Sequence, residues 1–169
     1  KLVISSDQGS SNNYHIGLIR DMGIDVIVTD HHQLKDNTPP ENANVFINPQ
    51  QEEDSTFKCL SGCAVAYLLM TALTEDIYPT DMDRQLEVKN LMELVAISTI
   101  GDMMDLSDPV NRAITSEGMK ILNTEPSKYI GADGKARNRG SRLGASFKIR
   151  LKTDYIDSKD ISFNIVPML

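Results

Sequence analysis

Short apolar runs alternate with stretches of helical period along the first hundred residues, and their order predicts strand, helix, strand. The opening segment KLVISS, residues 1–6, reads as a strand, broken by Asp7, Gln8 and Gly9. The polar run SSNN at 10–13 supplies N-cap residues. Tyr14, Ile16, Leu18, Ile19 and Met22 then recur near helical spacing as far as Gly23, a good C-terminal stop. Residues 24–29 form the second strand, in which Val26, Ile27, Val28 and Thr29 are all β-branched. A continuous run of this kind suits a strand buried on both faces. The whole unit has the size of a βαβ crossover, whose connection is right-handed and whose strands are parallel.

Thr38, Pro39 and Pro40 make a rigid connection, and residues 44–48 read as a third strand stopped by Pro49. Residues 50–58 are polar and acidic, as in a surface loop. A helix starting at Ser61 and Gly62 is apolar nearly all round through Leu73, which predicts a core helix. After a break at residues 78–81, a single helix is expected from about Met82 to Ile97, amphipathic first and then strongly apolar. Residues 111–122 form another, with Asn111 or Asp108 near its start. From Tyr129 glycines interrupt a basic stretch, residues 147–152 alternate apolar and basic as in a one-sided strand, and a last helix starts near Ser158. The pattern is that of an α/β protein, a parallel sheet with flanking helices. Residues 1–127 form its core, and 128–169 continue the same domain. Both ends fall in mid-element, so the chain is expected to be a piece of a longer protein.

Composition adds limits. A chain of 169 residues fits one domain with a sizeable core. No apolar run approaches the roughly 18 residues of a membrane span, and no secretory signal pattern opens the chain, so a cytoplasmic setting is expected. Cys59 and Cys63 are too few for a disulfide framework and read as small buried hydrophobes. The charge is distributed unevenly. Residues 1–127 carry 8 Lys/Arg against 20 Asp/Glu, whereas residues 128–152 carry 8 Lys/Arg against Asp133 alone. A basic segment on an acidic body points to a polyanion engaged locally, with a solvated loop as the alternative. Lys135, Arg137, Arg139, Arg142, Lys148 and Arg150 are the candidate nucleic-acid contacts, and Tyr129 and Phe147 are the aromatics available for stacking.

The candidate chemistry lies where the strands end. In parallel strands the C-terminal ends share one edge of the sheet, so Asp7 and the triplet Asp30, His31, His32 project into one crevice. Two of the three histidines in the chain sit in that triplet. The alternative is a turn bearing two solvated histidines. Asp102, after Gly101 at the end of an apolar run, is either a further carboxylate delivered to the site or a helix-end aspartate.

The order of strand and Asp-x-Gly, then VIVTDHH, then Ile-Asn-Pro, then SGCAVA, then GDMMDL followed by Asn-Arg resembles the DHH phosphoesterases, and within them the RecJ-type exonucleases specific for single-stranded DNA. The resemblance covers residues 1–123 well and 161–169 more faintly. It implies that Asp7, His31 and Asp102 are metal ligands, and that Asp30 and His32 are catalytic neighbours that orient ligands and contact the scissile phosphate. Asn111 and Arg112 match a pair whose role is structural support. Carboxylates and imidazole without thiolate suit Mn²⁺ or Mg²⁺ better than structural zinc. Two such ions about 3.5–4 Å apart lower the pKa of a bridging water and neutralise charge on the phosphate.

The function implied is 5′–3′ exonucleolytic hydrolysis of single-stranded DNA in repair and recombination, with single-stranded DNA as the partner and no membrane. Two alternatives keep the same residues. One is a phosphoesterase acting on short oligonucleotides, cyclic dinucleotides or pyrophosphate. The other is a non-catalytic binding module. The family's Asp-rich first motif, its later Gly- and Arg-containing motif and its C-terminal substrate-binding domain have no counterpart in these residues. The 169-residue chain by itself is therefore expected to bind metal weakly and to be inactive or nearly so.

Overall fold

The computed structural model of the protein describes residues 1–123 and the backbone of two short strands, 127–130 and 136–139. Strands β1 (Leu2–Ser6), β2 (Asp25–Thr29) and β3 (Val45–Ile47) form a sheet in that order, with both pairings parallel. Ile4 stands opposite Ile27, and Val28 opposite Phe46. β2 is central, and its β-branched residues are the reason. Val26 and Val28 are fully enclosed, and α1 (Asn13–Asp21) packs Ile16 and Ile19 against them. The register also brings Ser6, Thr29 and Ile47 level, so the three following loops leave one edge together.

The second core lies behind that edge. Leu60, Ala64, Val65 and Val95 are buried together, with Ile47, Met92, Val110 and Ile114 packed on them. α2 (Gly62–Ile77) is capped by Ser61, whose side chain accepts from the Ala64 N–H. Only the first half of α2 behaves as the core helix its composition suggests. Ala64 and Val65 are buried, but Leu68, Met70, Leu73 and Ile77 are exposed. The stretch read as one helix over 82–97 is two, α3 (Met82–Asn90) and α4 (Met92–Gly101). Leu91 separates them with ψ of −8°, and three-residue hydrogen bonds (Leu91 N–H to Val88 O, Leu94 N–H to Leu91 O) tighten the backbone there. Polar α3 then lies on α2, while apolar α4 packs against both α2 and α5 (Pro109–Leu122). Gly118 permits the α4–α5 crossing, since a Cβ there would stand 2.5 Å from the Ala96 Cβ.

Asp108 caps α5 by accepting from the Val110 and Asn111 N–H groups, with Pro109 in the first turn. β4 (Ser127–Ile130) and β5 (Ala136–Arg139) pair antiparallel, Tyr129 opposite Arg137. The sequence pattern had suggested a glycine-interrupted basic stretch here, without strands. The strand expected at 147–152 and the helix from Ser158 lie outside the described residues. No described helix is long and apolar enough to cross a membrane.

Candidate metal centre

Asp7 follows β1 with a positive φ of 62°, a conformation that aspartate tolerates better than most residues. Its N–H donates to the Thr29 carbonyl at 3.0 Å, which extends the ladder by one residue and fixes the turn. Gly9, at φ 126°, lets the loop fold onto β2, because a Cβ there would meet Val28 Cγ1 at 2.6 Å. The Asp-x-Gly pattern thus has a local cause. The carboxylate of Asp7 lies against the first turn of α2, where a Cβ on Gly62 would come within 2.6 Å of Asp7 Cγ. Only glycine fits beside it.

The triplet after β2 divides into one buried and two accessible groups. Asp30 is 1% exposed and every partner it has is a donor. Its Oδ2 accepts from the Ser10 N–H at 2.9 Å. Its Oδ1 accepts from the His31 N–H at 2.8 Å, the His32 N–H at 3.3 Å and the His32 Nδ1–H at 2.7 Å. Burial pushes the Asp30 carboxyl up, but hydrogen bonds from Ser10, His32 and His31 outweigh it and hold the group well below the usual carboxylate range. The sequence reading gave Asp30 two roles, orienting ligands and contacting the scissile phosphate. The structure places it beneath the two histidines, bonded to both main-chain N–H groups and to the His32 ring, which suits the orienting role, and at 1% exposure it faces no open space.

His31 Nδ1 lies 2.9 Å from the Leu60 carbonyl. A carbonyl only accepts, so Nδ1 donates to it and Nε2 is the ring nitrogen turned to the site. Nε2 sits 3.1 Å from Asp7 Oδ1 and 3.5 Å from Asp102 Oδ2. Residues from three separate segments therefore converge on one nitrogen. His32 stacks edge-on against His31 with ring centroids 4.5 Å apart. With Nδ1 committed to Asp30 and a side chain 61% exposed, it leaves Nε2 for an outside partner. The Asp30 hydrogen bond raises the His32 pKa above its ordinary value against a desolvation effect in the other direction, and the charges of Asp30, Asp7 and Asp102 add to the rise.

Asp102 ends α4, and Met103 follows it in the left-handed region at φ 53°. The loop is secured by Asn111, which is wholly buried. Its Nδ2 donates to the Cys59 carbonyl at 2.8 Å and to the Asp105 carbonyl at 3.1 Å. This amide ties the loop bearing Asp102 to the segment whose Leu60 carbonyl holds His31. The donor set fits a hard divalent cation: two carboxylates, an imidazole whose Nε2 is turned toward them, and a backbone carbonyl that holds its Nδ1–H. Asp7, His31 and His32 each offer a ligand atom within 4.8 Å of the others, and Asp102 adjoins them through His31. Cys63, beside this cluster, has its thiol pushed up by burial and by the Asp7 charge.

Of the residues proposed from sequence, the structure brings Asp7, His31, His32 and Asp102 together over Asp30. Arg137 and Arg139 lie on the backbone of β5, and Lys135, Arg142, Lys148 and Arg150 lie outside the described residues. Sequence reasoning missed Gly62, the Leu60 carbonyl, and the polar supports Ser10 and Asn48. The glycine in SGCAVA was the one visible signal, because a helix that opens on glycine has a reason to do so.

Residues 1–99 match the DHH family, N-terminal domain. The single-stranded-DNA-specific exonuclease RecJ of Escherichia coli is 37% identical over 129 residues, covering 72% of this chain and 22% of the relative. That of Haemophilus influenzae is 31% identical over 100% of this chain and 28% of its own length. Among solved structures, exonuclease RecJ bound to manganese superimposes with a TM-score of 0.59 at 31% identity, covering 72% of this chain and 29% of that one. RecJ from Thermus thermophilus in complex with Mn²⁺ gives the same TM-score over 17% of its chain. The chain thus spans about a quarter of the length of these relatives.

Proposed function

The chain belongs to the DHH family, and on that premise we propose that it carries the core of a divalent-metal-dependent phosphodiesterase that degrades single-stranded DNA from the 5′ end. Its place would be repair and recombination, with a two-metal site in the whole protein. The observation that carries the reading is the His31 imidazole. Its Nδ1–H is held by the Leu60 carbonyl, and its Nε2 faces the Asp7 and Asp102 carboxylates at 3.1 and 3.5 Å. Support for the substrate comes from the activity of the relatives, single-stranded-DNA-specific exonucleases. Support for the metal comes from the manganese in their solved structures. Mn²⁺ and Mg²⁺ both suit this donor set.

Asp7, His31 and Asp102 hold the metal. When bound, divalent cations supply an activated water and offset the charge that develops on the phosphate. The remaining work belongs to the side chains around them. Asp30 fixes both histidines through their backbone N–H groups and the His32 ring. His32 presents Nε2 to a phosphoryl oxygen and steadies the scissile group as negative charge accumulates. The basic positions Lys135, Arg137, Arg139, Arg142, Lys148 and Arg150 neutralise the polynucleotide backbone, a contribution that weakens with salt.

The test is a substrate comparison with the intact protein in Mn²⁺. Equal amounts of a 5′-phosphorylated single-stranded oligonucleotide, its duplex, a dinucleotide, a cyclic dinucleotide and pyrophosphate are offered. Fastest turnover of the single strand, with mononucleotides released from the 5′ end, is the expected result. Preferred turnover of any of the small substrates would replace the exonuclease reading with that of a small-phosphoester hydrolase. No hydrolysis of any of them would leave a binding module.

A further inference from the structure

The three loops that leave the sheet edge are joined underneath by two small polar residues that touch none of the metal-facing atoms. Ser10 and Asn48 are 5% and 4% exposed. Asn48 uses every hydrogen-bonding group of its amide. Nδ2 donates to Ser10 Oγ at 3.0 Å and to the His32 carbonyl at 2.9 Å, and Oδ1 accepts from the Gln50 N–H at 2.9 Å. The opposite amide orientation would set Oδ1 against the His32 carbonyl and an N–H against an N–H, so the network admits one orientation.

The directions of the remaining bonds follow from that. Ser10 Oγ receives the amide proton, and the Ser10 N–H donates to Asp30 Oδ2 at 2.9 Å, so Asn48 steadies the residue whose main chain holds Asp30. Asp30, an acceptor only, takes the Ser10 N–H and the His32 Nδ1–H. Asn48 therefore reaches His32 by two routes: directly at its backbone carbonyl, and through Ser10 and Asp30 at its ring. Without them His32, mostly exposed and held by one side-chain bond, has the freedom to rotate away from its position over the site.

We propose that Ser10 and Asn48 are positioning residues that fix the His32 imidazole for contact with substrate phosphate, acting through Asp30 and the His32 main chain. The inference rests on the phosphodiesterase reading for what His32 does, but the geometry it assigns is testable without turnover. Fixed side chains behind a working group commonly contribute 10–100-fold.

The experiment uses the intact protein with Asn48→Ala and Ser10→Ala, each alone and combined with His32→Ala. At saturating Mn²⁺ either single substitution is expected to lower kcat on a single-stranded oligonucleotide about 10–100-fold. KM and the calorimetric Mn²⁺ affinity should stay within about threefold. On the His32→Ala background neither substitution should cost anything further, because the group they position is already gone. Independently of turnover, the His32 Nδ1 proton of ¹⁵N-histidine-labelled protein should give a slowly exchanging signal that either substitution abolishes. Undiminished kcat, an equal loss with and without His32, a loss of Mn²⁺ affinity instead of kcat, or an unchanged Nδ1 proton would each overturn the proposal. If Asn48→Ala does not fold, Ser10→Ala and the near-isosteric Asn48→Asp decide the same question. If the wild-type protein hydrolyses nothing, the phosphodiesterase reading fails, and the Nδ1 signal alone decides whether Ser10 and Asn48 hold the ring.

Discussion

At the scale of single residues, the site depends on which groups are free to act and which are already committed. Asp30 is committed, with donors on both oxygens. Asp30→Asn would put an amide N–H against at least one of those donors, so it should lower stability by about 1–3 kcal/mol at neutral pH. The folded-state pKa is depressed, so the contribution is present above the ordinary carboxylate range and fades as pH falls below it. Urea unfolding at pH 7 and pH 3 checks this: the gap between wild type and variant should be wider at pH 7. Cys59 is the reverse case. Burial and the neighbouring Asp108 carboxylate push its thiol up to about 11. Against the ordinary value of 9.0, the thiolate fraction at pH 8 falls about 100-fold. Iodoacetamide should therefore label Cys59 about 100-fold more slowly in the folded protein than in urea, and Asp108→Asn should narrow that difference. Equal rates in the two states would contradict the burial and charge assigned to it.

At the scale of elements, the site is the meeting of three strand ends with the starts and ends of helices. The first turn of α2 touches Asp7 so closely that Gly62→Ala must displace the carboxylate. Alanine is the better helix former, though by less in this first helical position than in a helix interior, and that offsets a small part of the strain. The variant is expected to stay folded and to lose Mn²⁺ affinity about tenfold by calorimetry. Unchanged affinity would show that Asp7 is not a ligand. The strands and the placement of Asp7, Asp30, His31 and His32 at their ends were legible because a β-branched run that stops at a carboxylate leaves a local record in the sequence. The break at Leu91 was not, since both flanks have helical composition and only the tertiary path separates them. Nor were the supports. The Leu60 carbonyl belongs to the backbone and carries no side-chain signal, while Ser10 and Asn48 are common residues whose partners lie 20 and 38 positions away. The half-exposed α2 misled in the other direction, because apolar composition is a one-way indicator of burial.

At the scale of the whole molecule, the described core is acidic around a site proposed to receive a polyanion. Bound divalent cations would reconcile the two, since the Asp7 and Asp102 carboxylates face the same nitrogen and need a positive charge between them and a phosphate. Metal dependence is thus the property on which the chemical account stands. The most direct measurement is nucleotide release from a 5′-labelled single-stranded oligonucleotide by the intact protein and its His31→Ala variant, across a Mn²⁺ titration. The metal contribution is worth several kcal/mol of transition-state stabilisation, or about 100-fold or more in rate. The wild type should release nucleotides only when Mn²⁺ is present, and the variant should lose at least that factor at every Mn²⁺ concentration. Release that proceeds in chelator, or a His31→Ala variant within about twofold of wild type, would contradict the assignment of this cluster as the metal centre.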